Sequence, residues 1–392
     1  MNPRNSSKVS RRRFLQNSAL GASALTAPAI MTSGVLGSDD VARIGVIGCG
    51  GRGSADLGEL VKVPHARVVA VCELRDDRLA KAKGIAHKTK PNGYKDFRKM
   101  MEKEKLDGVT AVVEVQNHAK VIVPILEAGL NCFSEKPMDQ TVERVDAMVK
   151  AARKNNRWIQ VGFQRRYIPG HRKVLEEIHS GKLGKIYALQ GQWHFQRVPS
   201  WLNADEGGGR LVEQACHHLD TMSWVLKNAA PLRCIAMGMP MPNPGANPPK
   251  HLNEFKSAVA FEFADDVLFT YTHLFGMPGP MGDGSSSNQS GEKLWVAAEK
   301  GGYDISSGMR YMLGGSEGEQ IAEPSKGYSD GTYEEFASFA RCLQTGELPA
   351  ANHEIARVST FMALMGRMAM YNRETRSFTP RLIHWEDLGS TL

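Results

Sequence analysis

Arg43-Ile44-Gly45-Val46-Ile47-Gly48 runs directly into Cys49-Gly50-Gly51-Arg52-Gly53, and a stretch with helical spacing follows from Ser54 to Val61. An apolar strand that enters a G-x-G-x-x-G loop and then a helix has a specific physical meaning. Gly48 permits the tight turn, Gly50 lets the backbone approach a pyrophosphate, and Gly53 allows close packing of helix on strand. Gly51 and Arg52 complete a loop whose free N–H groups sit at the helix N-terminus, where the dipole favours an anion.

The next strand supports this reading. Glu73 follows Gly53 by 20 residues at the end of the apolar run 67–73, where a dinucleotide-binding fold places its ribose-binding acid. Such a carboxylate accepts hydrogen bonds from ribose hydroxyls and repels a 2′-phosphate, which favours NAD. Arg75, two residues on, leaves NADP open, because a guanidinium there can hold the phosphate. Further strands are expected at 109–115, 131–135 and 158–163, and further helices at 119–128 and 142–155, with Gly129 as a helix stop. Near-continuous apolar strands separated by helices specify a doubly wound parallel sheet.

Beyond residue 163 strands follow one another directly, at 185–194, 257–263 and 267–273, the last two joined by an Ala264-Asp265-Asp266 turn. Helices are expected at 169–180, 211–226, 333–343 and 354–371. The fold class is therefore α/β, with an N-terminal Rossmann domain (39–163) and a C-terminal α+β domain (164–392) on a largely antiparallel open sheet. Two loops rich in Gly, Ser and Pro, at 238–253 and 276–291, are long enough to form arms over a site.

Residues 1–38 form a leader. They contain Arg4, Lys8, Arg11, Arg12 and Arg13 and no acid, and the chain's net charge of +7 falls to +2 once those five are removed. The remainder has no electrostatic footprint for nucleic acid. Ser10-Arg11-Arg12-Arg13-Phe14-Leu15-Gln16, followed by a weakly apolar stretch, looks like a twin-arginine export signal, with Ala27-Pro28-Ala29 as a candidate cleavage motif. Its apolar run is too short for a stable membrane anchor. The six cysteines show no C-x-x-C spacing and read as buried, reduced thiols, neither a disulfide framework nor a zinc site.

Two further stretches carry chemistry. Glu135-Lys136-Pro137 ends the fifth expected strand, on the side where an open α/β sheet binds its ligands. Gly207-Gly208-Gly209 leads into a helix on which Glu213 and His217 are i,i+4 neighbours and Asp220 lies three further on, a carboxylate and an imidazole suited to acid–base work. A plain polar face and a metal site are the competing readings of that helix, and no metal is expected because the spacing matches no recognised site. Trp193, His194, Phe195 and Trp201 precede it and could stack on a sugar or belong to the core.

These motifs, with Gly162-Phe163-Gln164-Arg165-Arg166-Tyr167, resemble the Gfo/Idh/MocA family of oxidoreductases over about residues 42–375. The resemblance implies Lys136 and His217 as the catalytic pair with Glu213 as the accompanying acid. It also implies cofactor contacts from Asn117, His118 and Glu135, and substrate contacts from Arg166, Tyr167, Trp193, His218 and Asp220. Glu213 stands where the family usually has Asp, and Val113-Glu114 replaces a usual Thr-Pro. A carbohydrate or polyol substrate and a homo-oligomer, dimer or tetramer, are implied as well.

The sequence thus leads to an exported oxidoreductase that passes hydride between tightly held NAD(H) and a sugar or polyol. A redox-neutral NAD-dependent glycoside hydrolase or lyase and a non-catalytic carbohydrate sensor are the alternatives; the related exported glycosidases lack the E-K-P lysine. Periplasmic localisation gives a first prediction. Replacing Arg11 and Arg12 by Lys should leave precursor in the cytoplasm on fractionation, and undiminished export of that variant would contradict the reading of the leader.

Overall fold

The computed structural model describes residues 41–195, 207–240, 254–275, 291–326, 330–372 and 377–392. The leader, Trp201 and most of the two long loops lie outside the described residues. The chain begins as β1 (Ala42–Ile47), α1 (Gly51–Leu60), β2 (Ala66–Cys72), α2 (Asp76–Ile85), β3 (Asn92–Tyr94), α3 (Phe97–Lys103) and β4 (Gly108–Ala111). It continues through α4 (His118–Glu127), β5 (Asn131–Ser134), α5 (Val142–Lys154) and β6 (Ile159–Val161). The six strands pair in parallel in the order β3-β2-β1-β4-β5-β6, the arrangement whose strand order reverses beside β1 and opens a ligand crevice there.

Local chemistry sets these boundaries. Thr141 accepts a hydrogen bond from the Arg144 N–H and starts α5, while Gly129, at φ +78, turns the chain out of α4. The strand expected at 109–115 is shorter than its apolar run, because its neighbours β1 and β5 end opposite Ala111. Val112 donates the last backbone hydrogen bond, to the Ile47 carbonyl, and beyond it the chain leaves the sheet and Val115–Asn117 closes into a 3₁₀ turn.

The second half contributes α6 (Pro169–His179), β7 (Ile186–Phe195), a π-helical turn (Leu211–Ala215) and α7 (Cys216–Val225). Then come β8 (Arg233–Pro240), β9 (Glu254–Glu262), β10 (Leu268–Phe275), β11 (Gly291–Ala298), β12 (Gly301–Asp304), β13 (Met309–Met312) and β14 (Gly318–Gln320). The chain ends with α8 (Thr332–Thr345), α9 (His353–Met370), β15 (Tyr371–Asn372), β16 (Ser377–Phe378) and β17 (Leu382–His384). Nine strands form one sheet in the order β14-β13-β12-β11-β7-β10-β9-β8-β17, antiparallel except for the parallel pair β7–β10. One face packs on α7 and α9 through Leu211, Phe261 and Phe361; on the other, Ile235, Met237, Leu268 and Trp295 are about half exposed.

Two departures from the expected elements bear on function. The single helix expected over 211–226 starts instead with a π-helical turn and becomes α-helical only at Cys216. In addition, α8 leaves the second sheet and packs on the first domain, where Phe336 and Phe339 meet Phe133 and Phe339 stands edge-on to Trp158 at 5.6 Å. The two halves are thereby joined by a shared aromatic core. All six cysteines are buried free thiols, in keeping with their reading as reduced core residues.

Candidate active site

The glycine loop has the geometry its sequence requires. Gly48 lies at φ +83, and a Cβ there would come within 2.1 Å of the Val112 carbonyl. A Cβ on Gly53 would meet the Gly48 carbonyl at the same distance, so both positions exclude any side chain. Gly51, by contrast, faces open space. That space belongs to a crevice of about 1090 Å³ lined by the loop, Glu73, Arg78, Val112 and Asn117. A dinucleotide fits this cradle, with its pyrophosphate on the N-terminus of α1 and its ribose toward Glu73.

Glu73 is fixed before any ligand arrives. One carboxylate oxygen accepts the Cys49 N–H at 2.8 Å and the other the Arg75 N–H at 3.0 Å, leaving each with acceptor capacity for a ribose hydroxyl. Arg75 itself points into solvent and pairs with Asp77 at 2.8 Å, so its backbone serves the site and its guanidinium does not. The sequence reading missed Arg78, which lines the crevice with one guanidinium nitrogen 3.6 Å from where a Gly50 Cβ would be. It lies inside the polar run of α2, which carries no motif.

His118, expected to contact the cofactor, braces two backbone segments in this structure. Its ring is buried, with Nδ1 2.9 Å from the Pro137 carbonyl and Nε2 3.1 Å from that of Val113, so it holds the Lys136–Pro137 turn against the end of β4. Glu135 is also buried; it accepts from Arg52 Nε at 2.6 Å and from the Lys136 N–H at 2.9 Å. Arg52 thus ties the glycine loop to the Glu135-Lys136-Pro137 strand end.

Lys136 reaches across to the second domain. Its Nζ donates to the Glu213 carbonyl at 2.7 Å and to Glu213 Oε1 at 3.0 Å. The π-turn makes this possible, since its extra residue takes a carbonyl out of the ordinary i→i−4 ladder, and such turns recur at functional sites. Glu213 and His217 share no hydrogen bond, since neither ring nitrogen of His217 has a partner among the described residues. The hydrogen bonds of Glu213 accordingly go to Lys136.

His217 lies four residues on, only 1% exposed, edge-on to Phe163 and Trp193 at 6.1 and 6.2 Å. Neither ring nitrogen has a hydrogen-bond partner among the described residues. Burial, then the positive charges of Arg165 and Lys136, hold its pKa well below the ordinary imidazole value, so it is neutral and able to accept a proton at pH 7.

The residues expected to contact substrate are buried and paired with one another or with neighbouring elements. Arg166 and Asp220 form a fully buried bidentate pair at 2.6 and 2.9 Å, to which Ser359 adds a hydrogen bond. Tyr167 is buried with its hydroxyl 3.3 Å from the Ala351 N–H. Trp193 offers no open face for a sugar: His218 stacks on one side at 4.8 Å, the Arg165 guanidinium lies 5.0 Å from the ring, and 3% of the residue is exposed. His218 is wholly buried between Tyr271 and Glu292, at 3.2 Å from each. Glu292 was not foreseen; Arg165 and His218 hold it ionised, and its side chain is partly open. It is the second residue of the eight-residue strand β11, where nothing in the sequence marks it.

A Rossmann domain with a dinucleotide cradle, joined through Lys136 and Glu213 to a second domain on a mostly antiparallel sheet, defines a two-domain dinucleotide-binding architecture. Two family models match, the Gfo/Idh/MocA oxidoreductase family with its NAD-binding Rossmann fold over residues 42–163 and the Gfo/Idh/MocA C-terminal domain over 171–304. The chain belongs to the Gfo/Idh/MocA family. It is 26% identical over 184 residues to a myo-inositol 2-dehydrogenase from Thermotoga maritima, a match covering 47% of this chain and 54% of that protein. To an inositol 2-dehydrogenase from Saccharopolyspora erythraea it is 30% identical over 187 residues, covering 47% and 53%. The match therefore spans about half the length of these relatives. Among solved structures, a myo-inositol 2-dehydrogenase from Lactobacillus plantarum superposes with TM-score 0.68 at 19% identity, covering 88% of this chain and 99% of that one. An oxidoreductase from Agrobacterium radiobacter in complex with NAD+, L-tartaric acid and magnesium gives 0.73 at 14% identity, covering 90% and 99%.

The buried histidines make stability depend on pH. Burial lowers His217 and His218, and takes His171 and His353 down to about 4. The unfolded chain binds protons at these rings near the ordinary value of about 6.5, before the folded chain does. Stability is therefore full above that value and falls as pH drops from it toward 4. In urea unfolding, His353→Gln should lose less midpoint between pH 7.5 and pH 5 than the parent protein does, and an equal loss would contradict neutral burial of that ring.

Proposed function

We propose that this chain is an exported oxidoreductase that oxidises and re-reduces a CH–OH group of a polyol or sugar with tightly held NAD(H). The observation that carries the reading is Lys136 Nζ, fixed on Glu213 in the junction between the domains, close to a neutral His217. The resemblance to inositol dehydrogenases supports a polyol as substrate. NAD held in the crevice supplies the hydride chemistry. His217 takes the hydroxyl proton, and Lys136, kept charged by Glu213, places a donor on the same oxygen and stabilises the charge that develops there. Glu292, whose side chain is partly open, accepts a second substrate hydroxyl. NAD is preferred to NADP because the Glu73 carboxylate occupies the ribose corner while Arg75 faces away.

The leader supports a periplasmic location for this activity, where little free NAD is available to recycle. The cofactor is then inserted before export and restored by a second substrate. The protein acts as a homo-oligomer, in which a second copy covers the outer face of the large sheet around the exposed apolar side chains of Ile235, Met237, Leu268 and Trp295.

Three measurements test this. Lys136→Ala and His217→Ala should each lower kcat on inositols or sugars by roughly 10²-fold or more with the fold retained by circular dichroism; near-parental turnover in both would remove these residues from the reaction. Protein purified without added cofactor and then denatured should release close to stoichiometric nicotinamide dinucleotide, whereas an empty site with weak, reversible binding would contradict tight retention. Sedimentation should show the parent as an oligomer that Met237→Glu dissociates, and a monomeric parent would refute the assembly.

A further inference from the structure

Helix α9 lies behind the junction at which Lys136 meets Glu213, and the proposed reaction leaves it without a role. Four of its residues touch the segments that carry those two side chains. Thr360 Oγ1 accepts the Met138 N–H at 3.3 Å, and Ser359 Oγ donates to Asp220 Oδ1 at 2.6 Å. Two turns further along the same face, Gly366 lets the helix approach the π-turn so closely that a Cβ would stand 2.7 Å from Leu211 Cδ2. Beside it, Arg367 donates from Nη1 to the Gly208 carbonyl at 3.0 Å and from Nη2 to the Gln140 carbonyl at 2.8 Å.

These last two carbonyls belong to different halves of the chain. Gln140 follows Lys136 by four residues, in the segment that leaves β5. Gly208 precedes Glu213 by five, and its neighbour Gly209 offers a carbonyl to the Glu213 N–H at 2.9 Å. The contacts therefore close a ring, from Lys136 to Glu213, back along the chain to Gly208, across the guanidinium to Gln140 and so to Lys136 again. Gly208 adopts φ +85, and a Cβ there would come within 3.0 Å of both Arg367 Nη1 and Gln140 Cβ, so this glycine lets the three segments close on one another.

Arginine suits the position for a physical reason. Its guanidinium is a planar fork with donors in fixed directions, so the fork sets how the two carbonyls lie relative to each other. The side chain is buried, and the carbonyl oxygens replace water that a cation loses on burial. We propose that Arg367 is a positioning residue for the reaction, which holds the Lys136 ammonium and Glu213 in register across the domain junction by spanning the Gln140 and Gly208 carbonyls. The role rests on Lys136 being the donor to the substrate oxygen. Arg367 does not line the dinucleotide crevice, so loosening it displaces that donor and spares cofactor binding.

Arg367→Lys tests this, because it keeps the charge while one ammonium cannot span two carbonyls as the fork does. With myo-inositol and NAD as the probe pair, kcat should fall by about tenfold or more, toward the roughly 10²-fold that a misplacement of about 1 Å can cost. KM for the polyol and Kd for NAD should stay at their parental values. Added to Lys136→Met, the substitution should cost nothing further, because the donor it aligns is gone. Arg357→Lys is the control: that arginine lies on the same helix but pairs with Asp146 and Ser390, and its variant should keep parental kcat.

A second readout needs no substrate. The ammonium signal of Lys136 in ¹H–¹⁵N correlation spectra, assigned by its loss in Lys136→Met, should exchange faster with water in Arg367→Lys. Gly208→Ala should do the same with the arginine still present, since its added methyl crowds Nη1. An unchanged ammonium signal in either folded variant overturns the proposal, as does parental kcat in Arg367→Lys or an undiminished further loss on Lys136→Met. Parental turnover in Lys136→Met would instead remove the reading of the reaction on which this role rests.

Discussion

The contact between Lys136 and Glu213 is the constraint on which the site depends. Lys136 closes a strand of the first sheet, and Glu213 lies on a π-turn at the head of a helix of the second domain. A charge taken this far from water costs several kcal/mol unless well-placed acceptors replace the water. The carbonyl and the carboxylate of one residue do so here. The glutamate takes the place of the family's usual aspartate, and its longer side chain suits an arrangement in which carbonyl and carboxylate converge on one ammonium.

Much of the surrounding structure serves to hold the two ends of that contact. On the first-domain side, Arg52 and His118 brace Glu135 and Pro137 from opposite directions, so the lysine backbone is tied both to the glycine loop and to the end of β4. On the second-domain side, the Arg166–Asp220 pair anchors α7 to the turn after β6, and Asn352 caps α9 against the same layer. The aromatic contacts of α8 with Phe133 and Trp158 fix the two domains relative to each other, which a reaction across their junction requires.

The legibility of these features in the sequence followed their range. The glycine loop, Glu73 and the alternation of strand and helix are local patterns, and the structure reproduces them with Gly48 and Gly53 at positions closed to any side chain. Lys136 and His217 were legible through motif context. The π-turn was not, because the residues 211–215 carry ordinary helical spacing and only their tertiary contact with Lys136 distinguishes them. Arg166, Asp220, Trp193 and His218 have chemistry suited to substrate binding, yet pairing and stacking with residues distant in the chain make them part of the core. Arg78 and Glu292 had the opposite difficulty, since neither sits in a motif and only folding brings Arg78 to the crevice and Glu292 to Arg165 and His218.

The most direct test of the account is a double-mutant cycle on turnover with Lys136→Met, Glu213→Gln and the double variant. If Glu213 acts by holding the Lys136 ammonium in place, removing the lysine removes the reason for the glutamate, and the double variant should lose little more activity than Lys136→Met alone. Multiplicative losses in kcat would contradict that dependence and give Glu213 a role of its own.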